Sequence, residues 1–299
     1  MNKIKILHII TRLDKGGSSR ILLLLARYLP KEKYELKIIT GLTKLSEKDL
    51  RSHSLNTGVG IVYIKQLRRN INLFLDMISL WKLYKIMRQE KPSIVHTHTS
   101  KAGIIGRWAA KLAGVPIVIH MPHGHVFYGY FGKLKTSFFI FLEKMTAFIT
   151  EKIITLTEIE KYEHIKFGIA KEDKFISIHN GIEIENYLNP QIDNSIKRKE
   201  LNLQDRDLLI TMIARLEPVK GHVYFLRAMK KVFEQLSEAK ALIVGDGSLR
   251  KKLETEARKL DISNEVKFLG ERDDILGIIS ISDLIVLPSL NEGFGLVLV

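Results

Sequence analysis

The stretch from Leu208 to Gly221, LLITMIARLEPVKG, decides the fold. It begins as an apolar run of strand type and ends in a turn carrying two cations, Arg215 and Lys220. Pro218 and Gly221 break the strand, and an amphipathic helical pattern runs from about His222 to Leu236. Strand, turn and helix make the repeating step of an open α/β sheet, where ligands sit at strand ends. Two cations there, beside a helix N-terminus, form a seat for a polyanion, most simply a diphosphate. The competing reading is a pair of solvated surface charges. A second strand end, LIVLPSLNEGFG over residues 284–295, tips the balance by adding a carboxylate, Glu292, and two glycines. A cationic clamp near a glycine-lined Glu points to a nucleotide-sugar site.

Around this stretch the same alternation continues. A strand over Ala241–Val244 enters the loop GDGS, and a helix follows over Leu249–Leu260. Strands are also expected over Val266–Leu269 and Leu284–Leu287, with a short helix near Asp274–Ser280 between them. Upstream, residues 179–207 are rich in Asn, Asp and charge, with a turn signal at Asn180-Gly181 and a breaker at Pro190. This segment reads as a linker, with the boundary near Glu183 to Asn189. The domains are therefore expected over 1–184 and 185–299.

The first domain opens with a strand over Ile4–Ile10, the loop TRLDKGGSSR, and a helix over about Arg20–Leu29. Ser18 or Ser19 is the expected cap and Pro30 the stop. Gly16 and Gly17 either supply freedom for a tight turn or let main-chain N–H groups approach a ligand. The loop has neither the P-loop ending nor the dinucleotide spacing. Further strands are expected over Glu35–Thr40, Gly60–Leu67, Ser93–Thr99, Pro116–His120, Ile153–Leu156 and Phe175–His179, with helices between several of them. Alternating strands and helices imply a mostly parallel sheet.

Two histidine-rich pieces have three readings. HTHTSKAG carries His96 and His98; HMPHGHVFYG carries His120, His123 and His125. A metal site is one reading, but no acidic or Cys ligand completes either cluster at a recognised spacing. Structural histidines at strand ends are the second, favoured for most of them. The third is a histidine acting on a sugar, for which His123 is the best candidate and His125 the runner-up. From Gly132 to Thr150 a helical pattern interleaves Phe138, Phe139, Phe141, Leu142, Met145 and Phe148 with lysines. Core packing is the favoured reading, and an interfacial helix resting on anionic lipid is the other.

The chain has 299 residues, 45% hydrophobic and 27% charged, as expected of a globular protein with two cores. It has no cysteine, which excludes disulfides and thiolate metal sites. A net charge of +14 favours anionic partners. No nucleic-acid-binding motif is present, so a peripheral contact with anionic membrane is expected and nucleic acid is not. The short first apolar stretch does not read as a signal peptide, and no segment reaches the roughly 20 apolar residues of a membrane span. A cytoplasmic location, at the inner face of the plasma membrane, is the expectation.

Taken in order, IHNGIE, ARLEPVKG, IVGDGSL, VKFLG and DLIVLPSLNEGFG resemble the family 4 retaining glycosyltransferases of the GT-B fold. DKGGSSR and HTHTSKAGIIGRWAAKLAGVPIVIHMPHGHVFYGYFG resemble that family's N-terminal half. The resemblance implies two Rossmann-like domains with mostly parallel sheets facing a cleft. It implies transfer of a sugar from a nucleoside-diphosphate sugar to a glycan or other acceptor, with retention and no cofactor. The basic charge and the apolar aromatic helix favour a lipid-linked or cell-envelope polysaccharide acceptor, and Arg215 and Lys220 are expected to take the place of a metal. By position, Arg215 and Lys220 match the donor diphosphate pair, with Gly16 and Gly17 near the donor phosphates. Glu292, Gly293, Phe294 and Gly295 match the start of the segment that holds the donor sugar. His123 matches the histidine near the reacting carbon, and Gly245 and Gly247 lie on the nucleotide side. The roles implied as catalytic are those of His123 and Glu292. That segment's second Glu would fall one residue past Val299, so a C-terminally truncated second domain is expected. Two other classes compete. One is a GT-B-like sugar-nucleotide epimerase or phosphorylase; the other is a non-catalytic nucleotide-sugar-binding fragment.

Overall fold

The computed structural model describes residues 3–13, 16–41, 58–124, 132–188 and 191–299. They form two compact units, Met1–Gly181 and Ile182–Val299.

The first unit is built on seven strands: β1 (Ile4–Ile10), β2 (Tyr34–Thr40), β3 (Gly60–Tyr63), β4 (Ile94–His98), β5 (Ile117–Met121), β6 (Lys152–Thr155) and β7 (Phe175–Ser177). They pair in the order β3-β2-β1-β4-β5-β6-β7, all parallel. Its helices are α1 (Gly17–Tyr28), α2 (Leu73–Glu90), α3 (Ser100–Ala113), α4 (Lys133–Phe148) and α5 (Glu158–Lys166). A parallel sheet is covered on both faces, so the central strand β1 is buried at every position from Ile6 to Ile10 rather than at alternate ones. Leu7 and Ile9 of β1 pack on one face with Leu83, Met87 and Ala109. Ile10 packs on the other with Leu22 and Ala26 of α1. The order reverses between β1 and β4, which makes their C-terminal ends the switch point of the sheet.

Several local expectations change. Helix α1 starts at Gly17 behind Gly16 and has no side-chain cap. Ser19, an expected cap, instead donates its hydroxyl to Arg12 O at 3.2 Å. β3 ends at Tyr63, because Leu67 N–H turns back onto Ile64 O. On α4 the favoured core reading does not hold for most of the aromatic stripe. Phe138, Phe141, Met145 and Phe148 are exposed, and the buried face is Glu143, Thr146 and Ala147. Glu143 accepts from the fully buried Arg107 of α3 at 2.6 Å. A buried ion pair of this kind is costly to break from one side, so helix spacing here depends on both partners.

In the second unit, the segment read as a linker carries two helices, α6 (Glu185–Leu188) and α7 (Asn194–Glu200). Leu201 and Leu203, just after α7, are buried in this unit's core with Leu209 and Ile278. Lys197 donates to Asp274 at 2.7 Å and to Glu200 at 2.6 Å. Part of the charge of this stretch thus joins α7 to the start of α10 through Lys197 and Asp274. Strands β8 (Leu208–Ile213), β9 (Ala239–Val244), β10 (Val266–Gly270) and β11 (Leu284–Ile285) pair in the order β10-β9-β8-β11, all parallel. Helices α8 (His222–Phe233), α9 (Arg250–Lys259) and α10 (Ile275–Ile281) complete the unit. Phe225, Leu226 and Met229 of α8 and Leu253 of α9 pack on Met212 and Ile243 of the sheet. Among the described residues, no helix is long and apolar enough to cross a membrane.

Candidate functional site

In the second unit the sheet reverses between β8 and β11, and the three loops that follow β8, β9 and β11 are stitched together there. Leu216 N–H donates to Asp246 O at 3.0 Å, and Leu249 N–H to Leu216 O at 3.0 Å. On the other side, Leu290 N–H donates to Val219 O at 2.8 Å. The Arg215–Gly221 turn therefore lies between the Gly245–Ser248 loop and the Pro288–Gly295 segment. Two glycines make this closeness possible. A Cβ on Gly245 would lie 2.2 Å from Ala214 O, and one on Gly221 would lie 2.0 Å from Pro288 O. Their φ values are +129° and +75°. Gly247 sits equally tight, 2.6 Å from Leu216 O by the same construction. Gly245 and Gly247 thus serve packing between loops.

Lys220 Nζ reaches across the turn to Glu292 Oε2 at 2.5 Å. Arg215 is exposed, with no ion pair among the described residues. Gly293, Phe294 and Gly295 follow Glu292 in the same segment; a Cβ on Gly295 would stand 3.8 Å from Glu292 Cγ. His222, the first residue of α8, is buried, and neither ring nitrogen has a hydrogen-bond partner among the described residues. Burial, helped by the Lys220 charge, pushes this ring down to about 4, so it is neutral near Lys220. The sequence's own Asp-x-Asp, Asp205-Arg206-Asp207, lies at the start of β8, opposite the end that carries Arg215.

The corresponding strand ends of the first unit carry the histidines. His8 on β1 is in register with His96 on β4, and Ile10 with His98. Residues two apart on a strand share a face, so His8, His96 and His98 form one buried cluster. His8 Nδ1 and His98 Nε2 are 2.8 Å apart, and His98 Nδ1 and His123 Nε2 are 2.9 Å apart. Burial pushes His8 down to about 3 and His123 to about 4, and holds His98 and His96 well below the usual imidazole range. These rings are neutral at physiological pH. His120 lies on the opposite sheet face, with Nδ1 2.9 Å from Thr97 Oγ1, and has a structural role. His125 lies outside the described residues.

His8, His96 and His98 offer ligand nitrogens within 4.8 Å of one another, a set able to approach a metal ion. The 2.8 Å between His8 Nδ1 and His98 Nε2 is a hydrogen-bond separation. Two imidazole ligands on one tetrahedral ion stand about 3.3 Å apart, from metal–nitrogen distances near 2.05 Å. The geometry is that of a hydrogen-bonded chain.

His123 has φ +57° and the next residue, Gly124, +94°. This left-handed turn is held by Glu160 of α5, whose Oε1 accepts from Gly124 N–H at 2.9 Å and Oε2 from Leu156 N–H at 2.6 Å. Burial raises the Glu160 carboxyl to about 7 in spite of those two donors. Gly16 and Gly17 open α1, with Arg20 N–H on Gly16 O at 2.9 Å; no side chain caps this helix and its first turn holds no acid. The N-terminus of a helix without a cap or an acid in its first turn favours an anion. Sequence reasoning missed His8 and Glu160 as site members and named His98 only as one of the histidine-rich pieces. The His-x-His spacing places two rings on one face, but only the β1–β4 register adds His8.

Comparisons with known proteins identify the family. Residues 193–299 match the family described as Glycosyl transferases group 1, and residues 15–186 that described as Glycosyltransferase Family 4. The UDP-Gal:alpha-D-GlcNAc-diphosphoundecaprenol alpha-1,3-galactosyltransferase of Escherichia coli is 35% identical over 298 residues, 99% of this chain and 76% of that protein. The capsular polysaccharide biosynthesis glycosyltransferase CapM of Staphylococcus aureus is 30% identical over 255 residues, 79% of this chain and 62% of CapM. Among solved structures, Anabaena HepE in complex with UDP and glucose superposes with a TM-score of 0.79 at 20% identity, over 98% of this chain and 77% of HepE. WaaG, a glycosyltransferase involved in lipopolysaccharide biosynthesis, superposes with a TM-score of 0.74 at 15% identity, over 98% of this chain and 77% of WaaG. The structural likenesses establish the fold, and the family matches with the 35% identical relative establish the kinship. This chain belongs to glycosyltransferase family 4: it is a glycosyltransferase of the GT-B fold.

Proposed function

We propose that the chain transfers a hexose from a UDP-sugar to a lipid-linked glycan in the building of a cell-envelope polysaccharide, with retention of configuration and without a metal. The observation that carries the reading is the turn Arg215–Gly221, which carries two cations at the switch point of the second unit's sheet and sets one of them, Lys220, on Glu292. Breaking the anomeric bond loads negative charge on the diphosphate. Arg215 and Lys220 stabilise that charge where it develops, the task a divalent ion performs elsewhere. Glu292, released from Lys220 by the incoming diphosphate, holds hydroxyls of the donor sugar with Gly293, Phe294 and Gly295 around it. His123, a neutral imidazole, is assigned to the reacting sugar. The acceptor hydroxyl attacks from the face the leaving group departs, and the leaving phosphate takes its proton. The name of the 35% identical relative supports the donor and acceptor classes.

The test is a donor panel of UDP-galactose, UDP-glucose and GDP-mannose against a polyprenyl-diphosphate-linked N-acetylglucosamine, with and without EDTA. Acceptor-dependent UDP release insensitive to EDTA, giving an α-linked product, is expected. Free sugar or an epimerised donor without acceptor would favour the epimerase or phosphorylase class, and donor binding without turnover a non-catalytic module.

A contact with anionic membrane is part of the same reading. Leu134, Phe138, Phe141, Met145 and Phe148 run along α4 at helical spacing and are exposed, with Lys133 and Lys135 at the same end. Such a stripe beside cations suits the interface of an acidic bilayer, where a lipid-linked acceptor resides.

A further inference from the structure

His98 touches two other histidines through its two different ring nitrogens, and it is fully buried. Each ring of the chain His8–His98–His123 is neutral, so each carries one N–H. Each nitrogen–nitrogen contact needs one proton between its two atoms. Only two arrangements satisfy both contacts. In one, His8, His98 and His123 are all protonated on Nδ1; in the other, all three are protonated on Nε2. A mixed arrangement leaves two lone pairs, or two N–H groups, facing each other at under 3 Å in a buried site.

We propose that His98 is a positioning residue that locks the tautomer of His123 to that of His8, and so fixes whether His123 presents a donor or an acceptor on its other ring nitrogen, Nδ1. The coupling concerns the rings alone; its effect on transfer rests on the reading that His123 faces the reacting sugar. With all rings protonated on Nδ1, His123 offers an N–H to a sugar hydroxyl; in the other state it offers a lone pair. The backbone assists: Glu160 clamps Gly124 N–H and the turn holds His123 at φ +57°. The ring is thus fixed both at its backbone and at Nε2, leaving Nδ1 as the working atom.

Two measurements test this. Long-range ¹H–¹⁵N correlation spectra of the wild-type protein at pH 7 read the tautomer of each ring. The same tautomer at His8, His98 and His123 is expected; two rings of opposite tautomer, or a charged ring among the three, overturns the proposal. Kinetics then read the consequence. His98→Phe keeps an aromatic ring without nitrogens and should lower kcat about 10- to 100-fold, with the donor KM changed less than about threefold. His98→Gln keeps one donor and one acceptor and should recover part of that loss. His123→Ala should cost as much as His98→Phe, and the double variant no more than His123→Ala alone. Additive losses overturn the positioning role. Full activity in His123→Ala sinks the assignment of His123 to the sugar while the spectra still decide the coupling, so the two failures are distinguishable. If His98→Phe does not fold, His98→Gln and the wild-type spectra carry the test.

Discussion

Lys220 Nζ donates to Glu292 Oε2 at 2.5 Å, joining side chains 72 positions apart at the ends of two neighbouring strands. Both side chains are partly open to solvent, 18% and 29% exposed. An ion pair of that exposure is worth about 0–1 kcal/mol of stability. Under the proposed function its value lies in holding charge ready for the donor diphosphate. Lys220→Ala and Arg215→Ala are each expected to lower kcat/KM by about 10²–10³. Urea unfolding midpoints should hardly move. Two variants with wild-type rates in a UDP-release assay would remove both cations from the chemistry.

The loop junction depends on backbone approach. Gly221→Ala must place a Cβ 2.0 Å from Pro288 O at φ +75°. We expect a loss of about 2–4 kcal/mol, from the left-handed conformation together with the forced shift of Pro288. Gly114 has a similar φ of +73°, and a Cβ there would meet nothing within 4 Å. Gly114→Ala should cost only about 1 kcal/mol. Urea titration of the pair separates steric clash from backbone strain.

Stability should depend on pH with two opposite signs. The histidines have folded values depressed to about 3 for His8 and about 4 for His123, from 6.5. The unfolded chain binds those protons first, so their contribution is complete above pH 6.5 and is lost as pH falls toward 4 and then 3. Glu160 is raised from 4.5 to about 7. Its contribution is complete below pH 4.5 and is lost as pH rises through 7. The histidines outnumber it, so stability should rise from pH 4 to 6.5 and then dip slightly. Glu160→Gln should steepen the rise and abolish the dip, a change on the order of 3 kcal/mol between pH 5 and 8. Unfolding free energies measured across that range check both signs; an unchanged curve would contradict the raised carboxyl.

For the exposed stripe of α4, Phe138→Ser with Phe141→Ser removes two aromatic rings that are each 57% exposed. Binding to vesicles containing anionic lipid should weaken at least tenfold in a sedimentation assay, since each ring contributes about 1.5–3 kcal/mol when buried. Turnover of a short water-soluble acceptor should be unchanged. Equal vesicle binding by wild type and variant would place the membrane contact elsewhere.

The sequence by itself determined the α/β alternation, because apolar strand runs bounded by Gly and Pro are local signals. It also located Arg215, Lys220 and Glu292, whose strand-end positions follow from where each apolar run stops. It read residues 179–207 as a linker and did not show α7 within it, whose Lys197 forms an ion pair with Asp274. It misjudged α4 too, since periodicity shows that a helix has an apolar stripe but not whether anything covers it. Only the tertiary structure decided the histidines: register between β1 and β4 joins positions 90 apart in sequence, and it alone sets His8 against His98. The same holds for Glu160, an ordinary helix residue until burial beside Gly124 raises its carboxyl and makes it the clamp of the turn. Hydrophobic pattern is written residue by residue, whereas protonation states depend on which groups the fold removes from water together.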